Sequence, residues 1–276
     1  MNSLSVLNSN DINWCLHRLP KRVKALMQEY AGQLVMAGGF IRACIANEHI
    51  NDVDLFPASK ELAQVMALKL AGGDLKGVYE TENAYTVSRH LPMSVQFIHR
   101  WIFAQPEEIL PSFDFTIAQA AIWFEALARD ENGKVVDGEW KSLCSAQFYP
   151  DLAAKRLVYL QPIRNEDAGG SMLRVLKFYQ RGYRIPIDSL GQVISRLMTG
   201  VDISRIHTEQ KKFDKDSEIP GLVFDEQQLS KVVTGLLREV DPLIDPAHVS
   251  HLPATEAVGV ARDAGISTRV ESGSIQ

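Results

Sequence analysis

Cysteine is scarce: three thiols, Cys15, Cys44 and Cys144, are spread over 276 residues. None shows the paired spacing of a zinc site or a redox motif, so free core thiols in a reducing cytoplasm are expected. Long apolar runs are also absent. No stretch approaches the ~18 residues that a membrane span needs, and no membrane partner is expected. The opening MNSLSVLNSNDINW has no basic region followed by an apolar core, which argues against a secretory signal. Positive charge is in deficit, with 29 Lys and Arg against 34 Asp and Glu and a net charge of −5. A surface coated in positive potential is thereby excluded, and any nucleic acid must be bound through a local patch. There is no internal repeat.

The rest of the composition, 46% hydrophobic and 23% charged, is that of an ordinary globular chain long enough for one large domain or two modest ones. Residues 11–30 read as helix with a restart at Pro20. QLVMAGG is a short apolar strand ending in a glycine turn, and FIRACIANEH begins a helix. DVDLFP is a strand closed by Pro57, followed by the amphipathic helix KELAQVMALKLAGG. AYTVSRH and MSVQFIHRWIF read as neighbouring strands, PEEILPSF as a short helical or turn segment, and FDFTIAQAAIWF as a strand passing into helix. RDENGKVVDG carries turn chemistry at Asn132-Gly133. From about Tyr149 helical patterns dominate, at roughly 151–158, 165–183, 187–199, 201–212 and 226–238. The expected architecture is α+β: a head over 1–150 with a mixed sheet flanked by helices, then a small all-α domain over 151–252. A flexible tail is expected over 253–276.

One window raises a question of chemistry: AGGFIRACIANEHINDVDLF, Ala37 to Phe56. Side chains two apart on a strand share a face, so Asp52 and Asp54 project together while Val53 and Leu55 face the other way. Two neighbouring carboxylates repel, and one tends to hold a proton unless a cation lies between them. Magnesium fits, being a hard ion held by one or two carboxylates plus phosphate oxygens. Gly38-Gly39 precede a helix start, where backbone amides can reach a phosphate, and Arg42 one turn on can grip the same group. A D-x-D pair alone is more often a solvated turn, and a Gly-Gly turn after a strand is common. The combination points to a metal-dependent nucleotide site.

These residues resemble the signature of the polymerase-beta-like nucleotidyltransferase superfamily, and within it the head domain of class II tRNA CCA-adding enzymes and bacterial poly(A) polymerases. The family pattern is Gly-Gly-x-Val-Arg-Asp, a dozen residues, then Asp-x-Asp on a strand. Gly38, Gly39, Arg42, Asp52 and Asp54 fall in register, while Ala43 replaces the Asp after the arginine. SFDFTIAQAAIWF resembles the family's Arg-Arg-Asp-Phe-Thr-x-Asn-Ala motif, retaining Asp114, Phe115 and Thr116 but carrying Ser112 and Phe113 in place of the two arginines. NEDAGGSMLRVLKFYQRGYRI resembles the Glu-Asp-x-x-Arg segment and the helix after it, through Glu166, Asp167, Arg174, Lys177 and Phe178. The base-selecting arginine of that segment falls near Gly170 or Ser171 and is lost. The resemblance covers roughly residues 30–185.

It implies a magnesium- or manganese-dependent enzyme that moves an NMP group from an NTP, ATP or CTP, to a hydroxyl acceptor, with an RNA 3′ end as the expected partner. Asp52, Asp54 and Asp114 become the implied catalytic and metal-binding residues, Asp114 on a neighbouring strand. Gly38, Gly39, Arg42, Asp167, Arg174 and Lys177 become the implied nucleotide-binding set. A protein or small-molecule acceptor, and a catalytically decayed nucleotide-binding module, remain as alternatives. Asn83, Arg89, Gln96, His99 and Arg100 are read as strand-surface residues, with a place lining the site as the alternative. Arg174, Lys177, Arg181 and Arg184 recur at helical spacing and form a basic stripe, with Met172, Val175, Leu176, Tyr179 and Tyr183 on an opposite apolar face. That stripe suits triphosphate or an RNA end, against the plain alternative of a solvated amphipathic helix.

Overall fold

A computed structural model of the chain describes residues 3–160, 169–199, 208–210, 222–224 and 226–240. It divides into two compact units, Met1–Pro162 and Ile163–Gln276. In chain order the first contains β1 (Leu4–Ser5), α1 (Ser9–Arg18), α2 (Lys21–Glu29), β2 (Leu34–Ala37), α3 (Gly39–Ile45), β3 (Asp52–Pro57) and α4 (Lys60–Leu70). It continues through β4 (Val78–Glu80), β5 (Ala84–Val87), β6 (Ser94–Ile98), α5 (Pro106–Ile109), β7 (Ala120–Arg129), β8 (Val135–Ser145) and α6 (Phe148–Ala153). The second unit holds α7 (Gly170–Gln180), α8 (Ile187–Thr199), β9 (Thr208–Gln210), β10 (Leu222–Phe224) and α9 (Glu226–Val240).

Local chemistry sets these elements. Asn8 caps α1 by accepting from the Asn10 amide, and His17 and Arg18 sit in its last turn, where cations complement the helix dipole. Leu19, before Pro20, is held extended at ψ 134°, so the helical pattern of 11–30 breaks there and restarts as α2. Ser59 caps α4 through the Leu62 amide. Asp130 caps the turn at Asn132-Gly133 by accepting from the Asn132 and Lys134 amides, and this turn joins the two longest strands, β7 and β8.

The first unit is an eight-stranded sheet in the order β1-β8-β7-β2-β3-β6-β5-β4. Every pairing is antiparallel except β3 with β6, and α4 lies in the crossover that parallel pairing requires. Val53, Leu55, Leu34, Met36, Val95 and Phe97 are fully buried; α3 packs on β3, α4 on β3 and β6, and α2 on β7 and β8. Trp14 donates its indole N–H to the Cys44 carbonyl, tying α1 to α3. The Cys15 thiol is hydrogen-bonded to Cys44, and that bond, then burial, pushes it up. The opposite sheet face carries a second cluster, in which Val35, Ala37, Phe56 and Ala121 meet Ile109 and Leu110 from the segment after β6.

Several sequence expectations change. FDFTIAQAAIWF does not run from strand into helix: a 3-10 turn at Thr116–Ala118 precedes β7, and the alanine-rich part is strand because β2 and β8 pair on both sides of it. The strand β8 and the short β1 and β4 carried no sequence signal. The helix expected at 151–158 stops at Ala153, where Lys155 takes φ 49° and the chain turns back so that Tyr159 bridges Phe115. In the second unit the helices expected at 187–199 and 226–238 are present as α8 and α9. The helix expected over 201–212 meets instead an antiparallel pairing of 208–210 with 222–224, a partner that local periodicity does not reveal. The tail expected over 253–276 lies outside the described residues.

His99 is a correction as well: it is not a surface residue but 7% exposed. Its ring is tilted against Tyr85 at 4.6 Å and its Nε2 has no hydrogen-bond partner. Burial, with the Lys60 charge adding to it, holds its pKa below the ordinary 6.5, while Glu80 opposes the shift. Because the folded value is the lower one, the unfolded chain takes up a proton first as pH falls. Stability carried by neutral His99 is therefore lost on acidification below the ordinary histidine range. In urea denaturation, the stability difference between wild type and His99→Phe is expected to shift against wild type between pH 7.5 and 5.

Candidate active site

The site grows from the end of β2. Leu34, Val35 and Met36 pair with Pro57, Phe56 and Leu55, and continuing that register sets Asp54 beside Ala37. On its other edge β2 pairs with β7, Ala37 opposite Ala121, and the Gly38 amide donates to the Ala120 carbonyl at 3.0 Å. The start of β3, the end of β2 and the start of β7 therefore meet at one end of the sheet.

Asp52 and Asp54 are both partly exposed while Val53 between them is fully buried, so the two carboxylates do share a face. That face is the one carrying Phe56 and the second cluster. It extends as a polar row across the neighbouring strands, with Gln96 beside Asp54 and Ser94 beside Asp52 in the parallel ladder, and Thr86 beside Gln96. Gln96 and Ser94 are thus the β6 neighbours of the pair. Alternation within MSVQFI hinted at the face of Gln96, but the parallel register that sets it beside Asp54 is a tertiary fact. Two open grooves of the first unit, about 840 Å³ along Tyr30 and the β7–β8 turn and about 180 Å³ beside Phe103 and Trp123, are lined by neither carboxylate.

Gly38 has φ 84° and ψ −129°, a conformation that side-chain-bearing residues avoid. A Cβ on it would also meet the Phe113 ring at 2.9 Å. Phe113, which stands where the resemblance places an arginine, is instead an aromatic lid on this glycine, edge-on to Phe56 with centroids 6.2 Å apart.

Arg42 is 7% exposed, and its Nε donates to Glu48 Oε2 at 3.3 Å. One of its terminal nitrogens lies 3.9 Å from where a Gly39 Cβ would stand, so the guanidinium folds back toward the first turn of α3. Glu48 escaped the sequence reading: nothing in ANEH marks a loop carboxylate as the partner of a helix arginine six residues earlier.

Asp114 is buried, but it is not on a strand. It follows the 3-10 turn Leu110–Ser112, and its carbonyl accepts from the Leu160 amide at 2.9 Å. The next residues are clamped firmly. The Thr116 amide donates to the Val158 carbonyl, and the Thr116 hydroxyl donates to Asp151 Oδ2 at 2.6 Å. Fully buried Asp151 also accepts from Arg156, Nη2 to Oδ1 at 2.6 Å, so a charge-assisted network holds the segment that bears Asp114. Among the described residues no group of three or more His, Cys, Asp or Glu side chains could hold a metal, so Asp52, Asp54 and Asp114 do not form a ready-made cage. Arg174 and Lys177 lie on α7 of the second unit, and Asp167 lies outside the described residues.

A family model described as Gabija anti-defense 2 (Gad2) matches residues 7–155, more than half of the chain. The chain belongs to that family. No curated protein matches this Gad2-family chain by sequence. Among solved structures it is similar to a CCA-adding enzyme in complex with CTP, with TM-score 0.51 and 16% identity over 88% of this chain and 52% of that one. It is also similar to the Thermotoga maritima CCA-adding enzyme complexed with tRNA, with TM-score 0.51 and 14% identity over 96% of this chain and 55% of that one. This Gad2-family chain spans about half the length of those enzymes. At such identities the likeness is one of fold alone, shared with the CCA-adding enzymes.

Replacing Gly38 by alanine is expected to cost about 1–3 kcal/mol from backbone conformation, with the Phe113 clash added. In chemical denaturation, Gly38→Ala combined with Phe113→Ala should regain only the steric part, so the double variant remains less stable than Phe113→Ala alone.

Proposed function

We propose that this Gad2-family chain transfers an NMP group from an NTP to a hydroxyl acceptor. The observation that carries the reading is the Asp52/Asp54 pair, projecting from one face of β3 beside the Gly38 turn within a nucleotidyltransferase fold. In the reaction the acceptor hydroxyl oxygen bonds to the α-phosphorus, the bond to the β-phosphate bridging oxygen breaks, and pyrophosphate leaves with the electron pair. The hydroxyl proton passes to water. Such catalysis is chiefly positioning and charge stabilisation.

Asp52 and Asp54 supply only carboxylate oxygens, a donor set that suits Mg2+ or Mn2+, with nucleotide phosphates and water completing the shell. Bound there, the ion would neutralise charge on the triphosphate and the departing pyrophosphate. Arg42, turned toward Gly39 and held by Glu48, is assigned to the phosphates together with the amides of Gly38 and Gly39. Asp114 is assigned as the third carboxylate, its chain kept against the turn by Phe113. Glu48 is a positioning residue acting through Arg42.

An RNA 3′ end is the acceptor favoured by the likeness to enzymes solved with CTP and with tRNA. The family description favours a second reading of the acceptor alone: an anti-defence protein would direct the same transfer onto a component of the Gabija defence, including a protein side chain.

The deciding experiment incubates the full chain and Mg2+ with each α-32P-labelled NTP, with total RNA or cell extract, and follows both pyrophosphate release and the labelled species. Asp52→Asn and Asp54→Asn are each expected to lower transfer ~100- to 1000-fold, the scale of losing a main electrostatic stabiliser, while melting as wild type does. Label on RNA supports the first acceptor and label on a protein band the second. No label with any NTP defeats the enzymatic reading. Glu48→Gln should raise the KM for NTP more than it lowers kcat, and Glu48→Asp should restore part of the loss.

A further inference from the structure

The smaller groove of the first unit, about 180 Å³, lies where β3 ends and β2 begins, at the opposite end of those strands from the carboxylate pair. Pairing register builds it. Val35 stands opposite Phe56 on one side and opposite Trp123 on the other, so the three share one sheet face in the order Phe56, Val35, Trp123. Strands lie about 4.8 Å apart, which sets the two aromatic residues roughly 10 Å apart with the smaller valine between them. Phe103 completes the lining, edge-on to Phe56 with centroids 6.0 Å apart. Val35 and Phe56 are buried, while Trp123 and Phe103 are only half-buried and keep ring surface open to solvent.

Negative charge on this groove is left unbalanced. Glu125, two residues past Trp123 on the same face, lines the groove and stands directly opposite Glu139 in the β7–β8 ladder. Like charges so placed destabilise a strand pair. One cation serves both: Lys141, opposite Trp123, sets its Nζ 2.5 Å from Glu139 Oε1 and 3.8 Å from Glu125 Oε2. Those carboxylates, Glu139 foremost, hold the Lys141 ammonium above the ordinary lysine range, so it stays charged. Two carboxylates still face a single ammonium, and Glu125 is the more distant of them. Pro106, which also lines the groove, is followed by exposed Glu107 and Glu108, which add to the negative potential there.

We propose that this groove is a docking pocket for an arginine side chain of a partner protein. Its volume is below the about 300 Å³ at which small-molecule sites begin, so it admits one side chain. Aromatic faces attract cations, and a guanidinium, flat and weakly hydrated, stacks on a ring while its fork reaches a carboxylate. The groove offers both partners: the open ring surface of Trp123 and Phe103, and the carboxylate of Glu125. An aliphatic side chain would meet the rings and leave the charge unanswered. Lysine would meet the charge, but as a compact, strongly hydrated ammonium that stacks poorly. Arginine is also among the residues that dominate binding energy at protein interfaces. The pocket is separate from the Asp52/Asp54 site, and its occupancy does not depend on the transferase reading.

The test titrates the full chain with Nα-acetyl-arginine methylamide and with its citrulline counterpart, which keeps the shape and lacks the charge. The chain has four tryptophans, so the indole N–H signals in a 15N-labelled sample are few, and Trp123→Phe identifies that of Trp123. The arginine compound should shift this signal with a Kd of roughly 1 mM, in keeping with the low binding energy per atom of ligands this size. The citrulline compound should bind roughly tenfold more weakly, the scale of a lost cation–aromatic contact. Saturation transfer to the ligand extends the measurement to variants that lack the probe. Trp123→Ala should abolish binding, and Glu125→Gln, melting as wild type does, should weaken it about two- to fivefold, the scale of one exposed ion pair. The proposal is overturned if saturating arginine compound leaves the Trp123 signal unmoved, if citrulline binds equally well, or if Trp123→Ala binds as wild type does. Blocked leucine binding more tightly than blocked arginine would mark a purely apolar site and overturn it too. Free arginine, whose α-carboxylate is repelled by Glu125, should bind more weakly than the blocked form; tighter binding would mark a small-molecule site and end the assignment to a protein side chain.

Discussion

The backbone pairing of β2 on both its edges is the constraint on which the rest depends. Within four residues, β2 pairs with β3 through Leu34, Val35 and Met36 and with β7 through Val35, Met36 and Ala37. That double pairing brings three distant pieces of sequence to one place: the carboxylates at the start of β3, the glycine turn ending β2, and the Phe113–Asp114 segment leading into β7. A one-residue slip of β3 would turn Asp52 and Asp54 into the helical layer and Val53 and Leu55 out of it. The register is secured by complete burial of Val53 and Leu55. The site's geometry is thus a by-product of core packing.

Around that centre the molecule uses charge sparingly and in pairs. Asp151 is fully buried and is matched by Arg156 and by the Thr116 hydroxyl, so its cost of burial is offset and the 114–116 segment gains a fixed anchor. Arg42 is buried against Glu48 on the same logic. In the motif that this stretch resembles the residue after the arginine is acidic. Here it is Ala43, and the carboxylate that meets the guanidinium comes from the loop instead. Phe113 changes the local chemistry in the opposite direction, setting an apolar ring against Gly38 where the pattern has a cation.

Much of the fold was legible because it rests on local signals. Pro20 divided a helical pattern, KELAQVMALKLAGG read as an amphipathic helix, Asn132-Gly133 made a turn, and the alternation in DVDL put two aspartates on one face. What was not legible depends on partners far away in sequence. The alanine-rich half of β7 has no strand character of its own and becomes strand between β2 and β8. Gln96 looked like any surface amide until parallel pairing set it beside Asp54. Glu48 gave no sign of its arginine. Tyr179 and Leu176 fell on the side expected to be buried, yet both are exposed, since helical periodicity marks which residues share a face but not which face a neighbour covers.

The lone parallel pairing in the sheet also bears on how the protein is made. β3 can receive β6 only after the whole crossover through α4, β4 and β5 has been synthesised and folded back, and β2 can receive its second neighbour only when β7 has emerged. Contacts so distant in sequence close late and slowly, because loop entropy must be overcome before they return any energy. A nascent or truncated head ending before Ala120 would hold Asp52 and Asp54 beside a β2 with one edge unpaired, and the segment whose Phe113 covers Gly38 would lack its anchors at Val158 and Leu160. The carboxylate pair is therefore safe to translate early: it stays without its surroundings until the last strands of the head arrive.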